Sequence, residues 1–144
     1  MAVDYKKIVK EWLFDKNKLW ENICALSIPL SVPTEIGDTL LFLGTIIDCK
    51  VYLRDFDPVC IEYSPEDPPV EGDNDQAEKS FGHDFMPDDT IWIDWDMKIG
   101  EYKFIILHES VEHWLMKNYK LKYIDAHHIA NHFERLHRIK YPNK

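Results

Sequence analysis

The chain has 144 residues, 45% of them hydrophobic and 13% aromatic, which is enough apolar material for a buried core and too much for a disordered polymer. Its formal charge of −9, from 17 basic and 26 acidic residues, argues against bulk binding to nucleic acid or to an anionic membrane surface. Three cysteines (Cys24, Cys49, Cys60) without CxxC spacing, no apolar N-terminal signal and no stretch able to span a bilayer suggest a soluble cytoplasmic protein with buried free thiols.

Residues 3–26 are predicted to form a helix, because Ile8, Trp12, Leu13, Leu19, Trp20 and Ile23 recur at three- and four-residue steps between charged positions. Pro29 and Pro33 end it, and Thr34 is placed to cap a second short helix. Two strands are expected next, over 45–54 (TIIDCKVYLR) and 59–63 (VCIEY), both rich in β-branched and aromatic residues. Residues 64–80 contain three Pro, one Gly and many acids with almost nothing to bury, so a long exposed acidic loop is expected there. Order returns with a strand over 90–95 (TIWIDW) and a helix over 101–119, whose face is defined by Phe104, Leu107, Val111, Trp114, Leu115 and Asn118. A last helix over 123–139 offers Ile124, Ile129, Phe133 and Leu136 for packing, and its basic end complements the helix dipole. These elements describe one α+β domain, with a small antiparallel or mixed sheet packed against the 101–119 helix and flanking helices.

Six of the seven histidines lie between His108 and His137, so spacing must decide among them. His108 and Glu112 are four apart on one helical face, close enough for an imidazole nitrogen and a carboxylate oxygen to meet one ion at roughly 2.0–2.2 Å. The alternative is a helix-face ion pair. A tight turn would fold the next helix back and bring His127 or His128 to complete the set; His127 is preferred, because His128 also pairs at i, i+4 with His132. Three protein ligands and one open position are the count of a catalytic zinc. Glu109 lies about 100° round the helix from His108, where it could take a proton from a metal-bound water as that water attacks a carbonyl. His113, His132 and His137 read as solvated surface residues. His83, in a loop, is a minor candidate to enter the site.

The strand over 90–96, a short spacer and the run FIILHESVEHWL together resemble the active-site strand and HExxH helix of the zincin metallopeptidases, over about forty residues from Thr90 to His128. The fifth motif position here is Glu112, where that family has His; His113 lies about 140° from His108 and does not replace it. The resemblance implies a zinc-dependent hydrolase of amide or peptide bonds, with Glu109 as general base, His108, Glu112 and His127 as metal ligands, and a peptide substrate along strand 90–95. The alternative from the same likeness is a zincin-shaped binding or assembly module whose metal is structural or lost. A carboxylate-bridged di-iron site using Glu109, Glu112, His113 and Asp125 would require a four-helix bundle, which the strands oppose.

Overall fold

The computed structural model describes residues 3–29, 39–57 and 71–142. It has an α+β architecture. The elements are α1 (Tyr5–Val9), a π-helical continuation (Lys10–Lys16), α2 (Leu19–Cys24), β1 (Leu41–Ile46), β2 (Cys49–Arg54), β3 (Gly72–Asn74), α3 (Asp75–Ser80), β4 (Thr90–Asp94), a 3-10 turn (Ile99–Glu101), α4 (Tyr102–Tyr119) and α5 (Tyr123–Lys140). The helix expected near Thr34 and the strand expected over 59–63 lie outside the described residues. Among the described residues, no helix is long and apolar enough to cross a membrane.

The four strands form one mixed sheet in the order β1-β2-β4-β3. β1 and β2 are antiparallel, β2 and β4 run parallel from Lys50 opposite Thr90 to Arg54 opposite Asp94, and β3 is antiparallel to β4. Alternation along the strands puts Val51, Leu53, Ile91 and Ile93 into the main core with Leu107, Val111 and Leu115 of α4. Trp92 instead joins Phe56 and Met86 in a smaller cluster. β4 therefore has a hydrogen-bonded neighbour on each side over the residues expected to pair with a substrate. The edges of the sheet are β1 and β3, so residues 90–95, expected to pair with a substrate, are not an edge strand.

Two expectations change for one reason: the helix expected over 3–26 breaks at Lys18 (φ 52), and the strand expected over 45–54 is a hairpin whose turn holds Ile47 (φ 56); the expected α4–α5 reversal turns on a like residue, Lys120 (φ 57). Each is a non-glycine residue in the left-handed region, a conformation that composition does not advertise. The acidic loop expected over 64–80 is, in its described half, β3 and α3, with Asp73, Asn74, Asp75, Ala77 and Glu78 all buried. Cys49 is buried as expected, whereas Cys24 is exposed.

α4 is buried nearly all round rather than along one stripe, between the sheet, α2, α3 and α5. A helix in that position normally carries apolar residues on every side. Here the middle of α4 holds His108, Glu109, Ser110, Glu112 and His113, all buried. Those five polar residues need partners, and the partners define the site.

Candidate metal centre

α5 runs back along α4 with the small Ala126 and Ala130 fully buried at the contact and Phe133 in the same core. Small residues allow the two helix axes to approach closely. The antiparallel sense shows in the polar contacts: His127 meets Glu112, whereas Glu134, seven residues on, meets His108.

His108 Nε2 lies 3.1 Å from Glu112 Oε2 and 3.1 Å from His127 Nδ1, and His127 Nδ1 lies 3.0 Å from Glu112 Oε2. The three donor atoms form a near-equilateral triangle. Those three atoms would hold a divalent ion, and the protein supplies three ligands there. The donor set, two imidazoles and a carboxylate, suits zinc or another divalent first-row ion. His108 Nδ1 approaches Glu134 Oε1 at 3.0 Å, an ion-pair separation lacking good hydrogen-bond alignment. A carboxylate behind the distal nitrogen is the usual support of a ligating histidine, because it keeps the proton on Nδ1 and leaves Nε2 bare. Glu134 is held in turn by Arg138 Nε at 3.0 Å. His128 is exposed and takes no part.

Glu109 is buried beside the triangle, its Oε2 3.9 Å from His108 Nε2. Asn74 spans the two carboxylates, donating from Nδ2 to Glu109 Oε1 (2.9 Å) and to Glu112 Oε1 (3.2 Å). Its Oδ1 accepts from Ala77 N–H at 2.9 Å and caps α3. Sequence reasoning alone does not single out Asn74. The available signal is a capping pattern, a short polar residue just before a Glu-bearing turn, hidden inside a stretch that reads as loop.

The electrostatics follow from crowding acids and imidazoles in a buried space. Burial alone would lower the His108 pKa, but the Glu112 and Glu134 carboxylates override it and hold it up at about 10 without a metal. Glu109 is pushed up to about 8, first by burial and then by the charge of Glu112. Burial also opposes ionisation of Glu112, yet its bonds to His108 and His127 keep it below the usual range. Asp73, buried beside Glu78, is raised to about 10.

The triangle forms one flank of a cleft of about 350 Å³. The opposite wall comes from β3 and α3, with Glu71, Asp73, Glu78 and Phe81; Tyr123 and Asn131 of α5 line the near side. His83 stands apart from the three donor atoms, with its Nδ1 2.7 Å from Glu78 Oε2.

His113 departs from its expected exposed position and is buried on the other side of α4. Its Nε2 lies 3.0 Å from Asp75 Oδ1 and its Nδ1 3.3 Å from Cys49 Sγ. Burial opposes ionisation of Asp75, but the bonds from His113 and from Thr90 N–H lower its pKa to about 2. Cys49, Asp89 and His113 lie close enough together for a cation. Asp89 is nevertheless occupied by Lys117 Nζ at 2.6 Å, and burial together with Asp75 and Asp89 pushes the Cys49 thiol up to about 12. This second cluster ties α3 and β2 to α4. His137 is half-buried, packed among Phe14, Trp20 and Tyr141. No protein-family model, curated protein or solved structure matches this chain.

Proposed function

We propose that the chain is a metal-dependent hydrolase, with zinc as the expected ion and an amide or peptide bond as the expected target. The observation that carries this reading is the triangle of His108, Glu112 and His127 donor atoms, 3.0–3.1 Å on each side, opening into a cleft beside the buried carboxyl of Glu109. A structural zinc site would enclose the ion with four protein ligands, whereas three ligands facing a cleft leave room for a reactant. A bound dication would supply Lewis acidity and lower the pKa of a coordinated water towards ~7.

In this reading the residues divide the work. His108, Glu112 and His127 hold the ion. Glu134 fixes the proton of His108 on Nδ1. Glu109 takes the proton of the attacking water and passes it to the leaving amine, a role suited to a carboxyl whose pKa stands near neutrality. Asn74 keeps the Glu109 and Glu112 carboxylates apart and oriented by donating to both. The likeness to zincins rests on this same helix and stays a proposal, with Glu112 in the place where those enzymes carry His.

Metal analysis with and without chelator tests the first half, with about one zinc per chain expected. Glu109→Gln tests the second: hydrolysis of an unstructured protein should disappear while the metal content holds. Undiminished turnover in that variant removes Glu109 from the chemistry. A wild type that holds zinc but cleaves nothing points to the zincin-shaped binding module.

A further inference from the structure

The wall of the cleft facing the donor triangle carries three carboxylates, Glu71, Asp73 and Glu78, and no Lys or Arg lines the cleft among the described residues. Charge accounting separates this wall from the metal centre. A dication at the triangle is balanced by Glu112 and Glu109, and Glu134 shares Arg138 with Glu101. Glu78 has His83 at 2.7 Å on one oxygen. That leaves Glu71 and Asp73 without a cationic partner among the described residues. Asp73 is only 4% exposed, and its Oδ2 has no hydrogen-bond donor among the described residues, while Oδ1 accepts from Asn74 N–H at 2.9 Å. Burial and the neighbouring Glu78 raise Asp73 to about 10, so in the free protein it offsets the cost of burial by keeping a proton, whose place a cationic donor at the cleft wall would take.

We propose that Asp73, backed by Glu71 and Glu78, binds a cationic group of the substrate, a lysine- or arginine-type side chain or an amine, across the cleft from the metal. This deepens the hydrolase reading and rests on it for the word substrate. Phe81 and Tyr123, whose rings stand 5.1 Å apart at the cleft, offer apolar surface to the methylene stem of such a side chain. A substrate presenting a carboxylate or phosphate at this wall would meet like charge in a partly desolvated space and be rejected.

The test uses the zinc-loaded Glu109→Gln chain, in which binding can be read without turnover. Three capped pentapeptides, identical except for Lys, norleucine or Glu at the centre, are titrated calorimetrically at low and high salt. The lysine peptide should bind about tenfold more tightly than the norleucine peptide, with the glutamate peptide weakest, and the gap should narrow with salt. Asp73→Asn should bring the lysine and norleucine affinities together with zinc content unchanged. Should that variant fail to fold, Glu71→Gln, on a less buried position, gives a smaller loss of the same preference. Equal affinities for the three peptides, or no binding by any, would overturn the proposal. So would a second zinc per chain that disappears in the Asp73→Asn variant, since a metal ion would then be the cation. The outcomes separate the two readings. A wild type that binds the lysine peptide and cleaves nothing sinks the hydrolase alone, and one that cleaves all three peptides equally sinks the cationic wall alone.

Discussion

Asn74 donates its amide hydrogens to carboxylates on α4 while its oxygen caps α3, so one side chain couples the strand, the short helix and the candidate centre. Asn74→Ala removes the cap and leaves two buried carboxylates short of a donor, and a loss of about 2–4 kcal/mol in urea unfolding is expected. Asn74→Asp keeps the cap but not the donors, and should still lose stability. A fully stable Asp variant would place the whole effect in the cap. Glu134 makes a second, separable prediction. It touches His108 on the nitrogen away from the triangle, so Glu134→Gln should weaken zinc binding about ten- to a hundredfold in competition with a chromophoric chelator. Unchanged affinity would show that Glu134 serves only its pair with Arg138. Sequence spacing is enough to put His108 and Glu112 together and to narrow the third member to His127 or His128, because i, i+4 on a helix and a short reversal are strong geometric constraints; it is the packing of the two helices that brings in His127. Asn74 and Glu134 are not legible in the same way, since their roles depend on which elements pack together.

At the scale of elements, the segment 71–80 is the least readable part of the described chain. Its burial does not come from apolar periodicity. Asn74 and Asp75 go inside because α4 offers polar partners there, Glu109, Glu112 and His113, and a composition argument takes such residues for solvent-facing loop. The last two helices are far more legible, since α4 and α5 begin and end within about one residue of expectation. What periodicity does not reveal about α4 is that its polar residues lie in the interior, which no single helix can show. The join between β3 and α4 is tight at Gly72, where an added Cβ would stand 2.6 Å from Ile105 Cγ2 and 3.0 Å from Glu109 Cγ. Gly72→Ala should therefore push β3 off α4 and displace Glu109, lowering both thermal stability and any Glu109-dependent turnover. Adding Ile105→Ala, which deletes the nearest methyl, should recover part of the loss, read as a favourable coupling energy in a double-mutant cycle. Strict additivity of the two changes would mean that the close approach is relieved elsewhere.

Across the whole molecule, an excess of buried acid is stabilised by protons when no metal is bound. Asp73 is raised to about 10, Glu109 to about 8 and His108 to about 10, so each holds a proton in the native state at a pH where the unfolded chain has begun to release it. A raised folded-state pKa contributes stability that is complete below the unfolded value and is lost as pH rises through the folded value. All three act in the same direction between about pH 6.5, where an unfolded histidine begins to lose its proton, and about pH 8. The metal-free protein should accordingly lose stability steadily over that interval, measured by urea unfolding in the presence of chelator. Zinc changes the sign of the problem, because the ligands must be unprotonated to bind and the ion replaces the proton of His108. Zinc-loaded protein should show a shallower decline, or a rise, over the same interval, and its melting temperature should climb with free zinc as native-state binding requires. Asp73→Asn isolates the remote wall from the centre. It removes one of the three titrating groups and should flatten the chelated slope while leaving the zinc-dependent difference in place. Identical slopes with and without zinc would mean that the ion does not displace protons from these residues, and the triangle would then be an ordinary buried hydrogen-bond network.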